Sequence, residues 1–192
     1  MIAGATGIGP GRAALAAITG VWLGLVQVSL AFALIAGAGA SALLFFALTG
    51  IWLAGGAMGG LFIRGRMVTV TLAAAIVVSV IARLILFTYP FSYLGTIAGL
   101  LAGSLCGAYA AAFMTERSTM WSNARAVLLH ENNGFVIGWV IGAVLLILSA
   151  NLLALLALVF GAALLAARLI NRTQIQILKD KICSASKSKL EV

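Results

Sequence analysis

Apolar residues run along this chain in long stretches, without the regular alternation that marks a soluble helix or strand. Six stretches are separated by shorter segments that contain Gly, Pro, Ser or charged residues. A helix needs about 20 residues to cross roughly 30 Å of bilayer hydrocarbon. The pattern therefore predicts an all-α integral membrane protein, a bundle of six transmembrane helices over residues 13–36, 42–63, 67–88, 94–115, 133–150 and 152–170.

This pattern predicts one membrane domain and no soluble domain. The domain spans residues 13–170, between a cytoplasmic N-terminal segment of residues 1–12 and a basic cytoplasmic tail of residues 171–192. The longest internal connection, 116–132, has apolar residues at helical spacing, which predicts a short separate helix at the membrane interface. These residues are Met120, Ala124, Val127 and Leu128.

Composition and charge strengthen the membrane interpretation. Apolar residues make up 64% of the chain and charged residues 8%, and the mean hydropathy is +1.19. Soluble domains carry about 25% charged residues. The formal net charge of +8 comes from residues beside the predicted spans. We therefore expect the charge to meet lipid headgroups, and we expect no nucleic-acid partner.

The positions of the basic residues predict an orientation. When the spans alternate in direction, every acidic residue and every basic residue except Arg83 belongs to one side of the membrane. Lys and Arg beside spans favour the cytoplasmic side. We therefore expect both termini in the cytoplasm, with the bacterial inner membrane as the location.

The chain contains little catalytic or metal-binding chemistry. His130 is the single histidine, and Cys106 and Cys183 are placed too far apart for a disulfide and are too few for a zinc or iron–sulfur site. Neither a phosphate-binding loop nor a Ser–His–carboxylate set is present in the sequence. We therefore predict a protein that is not an enzyme and that has no metal site and no cofactor.

Two polar residues in the spans have both a structural and a functional interpretation. Arg83 is the only charged residue in the interior of a predicted span. It lies about 7–8 Å from the end of its helix, so its side chain could reach the headgroups. It could instead bind a substrate, a lipid or a carboxylate-bearing partner. Gln27 could donate to another helix or contact a substrate, so two alternatives stay open for each residue.

Glycines recur at intervals of four residues and predict faces for close helix packing, because residues four apart share one side of a helix. The predicted packing residues are Gly55, Gly59, Gly95, Gly99, Gly103, Gly107, Gly134, Gly138 and Gly142.

Two segments resemble parts of the major facilitator superfamily of transporters. Residues 59–66, Gly-Gly-Leu-Phe-Ile-Arg-Gly-Arg, are similar to the family's loop between its second and third helices, with Ile63 in place of an aspartate. The glycines of 99–107 and 134–142, with Arg125 between them, resemble the fourth and fifth helices. The resemblance covers about residues 12–170, one six-helix half of such a transporter.

The resemblance implies a half-transporter that moves a small solute, as a homodimer or with a partner, because the family holds its substrate between two halves. It implies candidate substrate or partner contacts at Gln27, Ser104 and Tyr109, which join Arg83. It also implies a gating loop that includes Gly60, Arg64, Gly65 and Arg66.

Two other functions remain open at this point. One is a non-catalytic accessory or assembly subunit of a larger membrane complex, for which bulky substitutions at Gly99 or Gly103 would release the partner. The other is the substrate-binding membrane subunit of a vitamin uptake system, based on size, topology and the alanine-rich first helix.

Overall fold

The computed structural model describes residues 9–121 and 123–188, with side-chain surroundings as far as residue 170. The described residues form helices and connecting turns, without strands. All six helices are long and apolar enough to cross a membrane, which confirms the six-helix prediction. The helices are α1 Pro10–Ala38, α2 Ala42–Phe62, α3 Arg66–Thr88, α4 Tyr93–Trp121, α5 Ala124–Leu148 and α6 Ala150–Ser188.

Local sequence explains where several helices begin. Pro10 is the first residue of α1, a position where its missing N–H costs no helical hydrogen bond. The Ser41 hydroxyl accepts from the Leu44 N–H and caps α2. Gly65 precedes α3 with a φ of +57°, a conformation that glycine adopts at little cost. Ser41 and Gly65 lie in the short turns that join α1 to α2 and α2 to α3.

The predicted separate helix between the fourth and fifth spans is wrong. Helix α4 continues to Trp121, and α5 begins at Ala124, where the Asn123 side chain accepts from the Ala126 N–H. A helix that leaves the hydrocarbon still satisfies its backbone hydrogen bonds internally, so the charges at Glu116 and Arg117 do not end α4.

Consecutive helices alternate in direction. Gly20 and Gly24 of α1 pack against successive turns of α5, and Gly55 and Gly59 of α2 pack against successive turns of α4, so each pair is parallel. We call the end of the bundle where α1 begins the near end and the opposite end the far end. Arg83 lies towards the far end, where α6 begins.

Helices α1 and α4 form the centre of the bundle and bury the largest fraction of their spans, whereas α2 and α5 lie at its edges. The Trp22 and Tyr109 rings meet edge to face with centroids 5.6 Å apart, and Tyr109 also packs against Phe113. These three side chains are almost fully buried, and they anchor the contact between the central helices.

The predicted glycine positions fall at two kinds of contact. A Cβ added at one group would meet the backbone of a neighbouring helix. This group comprises Gly55, Gly59, Gly107, Gly134 and Gly138. A Cβ at the second group would meet leucine, isoleucine or valine side chains. That group comprises Gly95, Gly99, Gly103 and Gly142.

Candidate functional site

A cavity of about 170 Å³ lies between α1, α3 and α6. Its length follows from the rise of the helices that line it. Trp22 and Ser29 are seven residues apart on α1, and so are Ile76 and Arg83 on α3. Seven residues span about 10 Å of helix. The cavity therefore extends from Arg83, towards the far end, to Trp22 deeper in the bundle. Its lining is mostly aliphatic, with polar groups from Ser29, Ser79 and Arg83.

Arg83 turns into the bundle towards α1 and α6. Its guanidinium donates to the Ser29 hydroxyl at 3.2 Å, to the Ala150 carbonyl oxygen at 2.8 Å and to Asn151 Oδ1 at 3.5 Å. The guanidinium also lies 4.9 Å from the centre of the Phe87 ring. All three hydrogen-bond acceptors are neutral, so these contacts hold the charge in place without balancing it.

The charge of Arg83 has no carboxylate beside it in the described part of the chain. The ion pairs found there all involve Glu116, whose partners are Arg117 and Arg168. A guanidinium carries five N–H donors, and its contacts with the protein use at most three. The site therefore combines an uncompensated positive charge with free capacity to donate hydrogen bonds.

The cavity opens on the side where α3 and α6 face outwards. Leu84 and Leu155 line it and are 62% and 57% exposed, whereas Trp22 and Leu30 on the opposite wall are almost completely buried. The surface around Leu84 and Leu155 is apolar and belongs to helices of membrane-spanning length. The opening is thus lateral, with α1 as the floor.

The residues that the resemblance grouped with Arg83 lie elsewhere. None of the other three candidates, Gln27, Ser104 and Tyr109, lines the cavity. The backbone of Ser104 lies against Gly55 of α2, and Gln27 is partly buried on α1. Tyr109 is fully buried beside Trp22. The structure therefore does not bring these four candidates into one site.

A second polar cluster lies at the near end. Arg168 of α6 is only 4% exposed and donates to a carboxylate oxygen of Glu116 on α4. Its guanidinium lies 5.7 Å from the centre of the Tyr109 ring and 6.0 Å from that of Phe113. Arg117 lies over the Phe113 and Trp121 rings, and its Nε is 4.0 Å from Glu116.

Arg168 lies near the end of the sixth predicted span and is buried in this cluster. The sequence carried one clue, because Glu116 and Arg168 belong to the same predicted end of the bundle. The two residues are 52 positions apart, so their pairing depends on how the bundle arranges α4 and α6, which the hydrophobic pattern does not specify. The described structure therefore contains two buried or partly buried arginine sites, at opposite ends.

The gating-loop candidates occupy the turn between α2 and α3. Arg64 donates to the carbonyl oxygens of Ile63 at 2.8 Å and Gly60 at 2.5 Å, which are orphan acceptors at the end of α2. Arg66 is exposed at the start of α3. In this conformation Arg64 caps the end of α2, and its role in gating stays a prediction.

Comparison with known proteins provides no family assignment, because no family model, curated protein or solved structure matches the chain. The fold and the cavity at Arg83 define a six-helix membrane protein with a laterally open, largely apolar site.

Proposed function

We propose that this chain is a transporter-like membrane protein of half-transporter size, which binds a small anionic solute in the cavity at Arg83. The observation that carries the proposal is the guanidinium, which contacts Ser29, Ala150 and Asn151 but has no carboxylate beside it in the described chain. Intramembrane charges are costly and usually functional. An anionic solute would supply the missing charge and accept the remaining N–H donors.

The proposal includes an orientation. Basic residues at the near end support placement of that end, and both termini, in the cytoplasm of a bacterial inner membrane. The cavity would then lie in the half of the membrane away from the cytoplasm. A second copy or a partner would provide the other side of a transport path, as the resemblance to one half of a major facilitator transporter suggests.

Benzoate provides a first test, because it combines a carboxylate with a ring of suitable size. An engineered apolar cavity of about 150 Å³ in another protein binds benzene, so the cavity at Arg83 has comparable room. We expect purified protein in vesicles to bind labelled benzoate and to mediate its flux. Arg83→Gln should abolish both, whereas Arg66→Gln, on the same helix at the near end, should preserve benzoate binding.

Two results would contradict the proposal. Benzoate binding that is equal in Arg83→Gln and wild type would remove the role of the arginine. Absence of Arg83-dependent binding of benzoate, acetate, inorganic phosphate and the longer carboxylate dodecanoate would remove the anionic-solute function altogether. Size-exclusion profiles of the variants establish that the compared proteins are folded.

The accessory-subunit function remains the second candidate, supported by the broad exposed apolar faces of α2 and α5. Gly99 and Gly103 lie against Leu34 and Leu48 inside the bundle, so substitutions there are unsuitable for probing a partner surface. Phe46 on α2 is 69% exposed and provides a suitable outward position. An accessory role predicts that Phe46→Ala releases a stoichiometric partner from native membranes, while transport by the chain alone predicts no such release.

A further inference from the structure

We propose that the ligand of the Arg83 cavity is a single-chain amphipathic anion, with a carboxylate or phosphate headgroup, that enters sideways from the bilayer. This inference rests on the proposed function and specifies the class of solute. Its evidence is the combination, in one cavity, of a charged end, an aliphatic wall and a lateral opening.

The headgroup end of the site is defined by Arg83 and the beginning of α6. The guanidinium is held by Ser29 and Ala150, so its direction is fixed before a ligand arrives. The fixed guanidinium favours an anion at this position and disfavours a zwitterionic headgroup, whose ammonium it would repel.

The chain-binding part of the site extends from the headgroup end towards Trp22. Val26 and Leu30 of α1 form a buried wall, and Ile76 and Val80 of α3 line the adjacent side. A compact hydrophilic anion would leave this aliphatic surface uncovered. An alkyl chain would cover it and pack against the aliphatic side chains of α1 and α3.

The lateral opening determines how much of the chain the protein holds. About 170 Å³ accommodates a segment comparable to a benzene ring, so the cavity can hold only the first several carbons of a chain. The rest would leave between Leu84 and Leu155, which face outwards. A single-chain amphiphile satisfies this geometry, because its headgroup and first methylenes fit while its tail remains in lipid.

Native mass spectrometry of the detergent-solubilised full chain tests the inference. Dodecanoate and lysophosphatidic acid represent the two headgroups, lysophosphatidylcholine is the zwitterionic control, and inorganic phosphate is the control without a chain. We expect one bound dodecanoate or lysophosphatidic acid per chain, with at least about tenfold weaker binding of lysophosphatidylcholine.

Variants test the headgroup end and the chain-binding part of the site independently. Arg83→Gln should weaken binding of both anionic amphiphiles by about tenfold or more, whereas Arg66→Gln should leave it unchanged. Ala154→Leu would fill the cavity from α6 and should also abolish binding. Ala162→Leu is the matched control, because Ala162 lies on the exposed face of the same helix.

Three other outcomes would contradict the inference in part or in full. Arg83-dependent binding of inorganic phosphate or benzoate, without binding of dodecanoate or lysophosphatidic acid, would overturn this inference and leave the anionic-solute function intact. Equal binding of lysophosphatidylcholine and lysophosphatidic acid would overturn the role of charge. Loss of Arg83-dependent binding for all of these anions would overturn the inference and the proposed function together.

Discussion

The guanidinium of Arg83 donates to the carbonyl oxygen of Ala150 over 2.8 Å and so joins the far end of α3 to the first residue of α6. The two residues are 67 positions apart in the chain. The same two helices form the lateral opening of the cavity at Leu84 and Leu155. Binding of a ligand at Arg83 is therefore linked to the distance between α3 and α6.

This connection predicts that an anionic amphiphile stabilises the folded protein. A ligand that binds only the folded state raises its stability in proportion to the logarithm of ligand concentration above Kd. We expect saturating dodecanoate to raise the thermal midpoint of the wild type by about 3 °C or more. Arg83→Gln should show no rise, and a shift of equal size in that variant would indicate a general detergent-like effect.

The near-end ion pair predicts a strong asymmetry between single and double substitutions. Arg168→Met removes the buried partner of Glu116 and leaves Arg117 as its remaining ion-pair partner, a change that costs about 1–3 kcal/mol. Arg168→Met combined with Glu116→Gln should recover part of that loss, because the charge of the carboxylate is removed together with that of Arg168. Chemical denaturation in detergent measures both effects. If the separate losses from Arg168→Met and Glu116→Gln add up to the loss in the double variant, the pair contributes no coupling.

Close helix packing predicts opposite effects of the same substitution at two glycines. A Cβ at Gly138 would meet the backbone of Val21 and force α5 away from α1, whereas a Cβ at Gly50 would meet nothing within 4 Å. We expect Gly138→Ala to destabilise by about 2 kcal/mol. Gly50→Ala should be neutral or stabilising by up to about 1 kcal/mol, because alanine favours helix. Comparable losses at both positions in a thermal unfolding assay would contradict the observed α1–α5 contact.

The position of Tyr109 predicts that its hydroxyl has no role in ligand binding. Tyr109 contacts Trp22 without lining the cavity, and its ring packs against Phe113. We therefore expect Tyr109→Phe to keep the affinity for benzoate within about twofold of the wild type, a change below about 0.5 kcal/mol. Tenfold weaker binding would place the hydroxyl in the path of the solute, as the resemblance to a half-transporter implied.

The sequence predicted the number and class of helices because each span must satisfy the same requirement for length and apolar character. Helices α2 and α3 begin and end within about a residue of the predicted spans. The start of α5 differs more, since Ala124 precedes the predicted start at residue 133. Charged residues around Glu131 indicated the end of a hydrocarbon segment, whereas the helix itself continues through them.

The sequence identified Arg83 as a candidate but not the site around it. Its contacts with Ser29 and Ala150 join positions 54 and 67 residues away, so they depend on how α1, α3 and α6 pack. Trp22 was visible as an aromatic residue of the first span, but only packing places it in the cavity. The predictions for the basic tail concern side chains beyond residue 170, which lie outside the described side-chain surroundings.

Fluorescence of Trp22 provides the most direct test of the central claim that an anionic amphiphile occupies the cavity at Arg83. Trp22 lines the inner part of the cavity and is 1% exposed, so bulk lipid does not reach it. Dodecanoate brominated along its chain should quench a component of the emission in the wild type. The account predicts that this component disappears in Trp22→Phe and in Arg83→Gln and persists in Arg66→Gln. Equal quenching of the Trp22 component in the wild type and Arg83→Gln would contradict it.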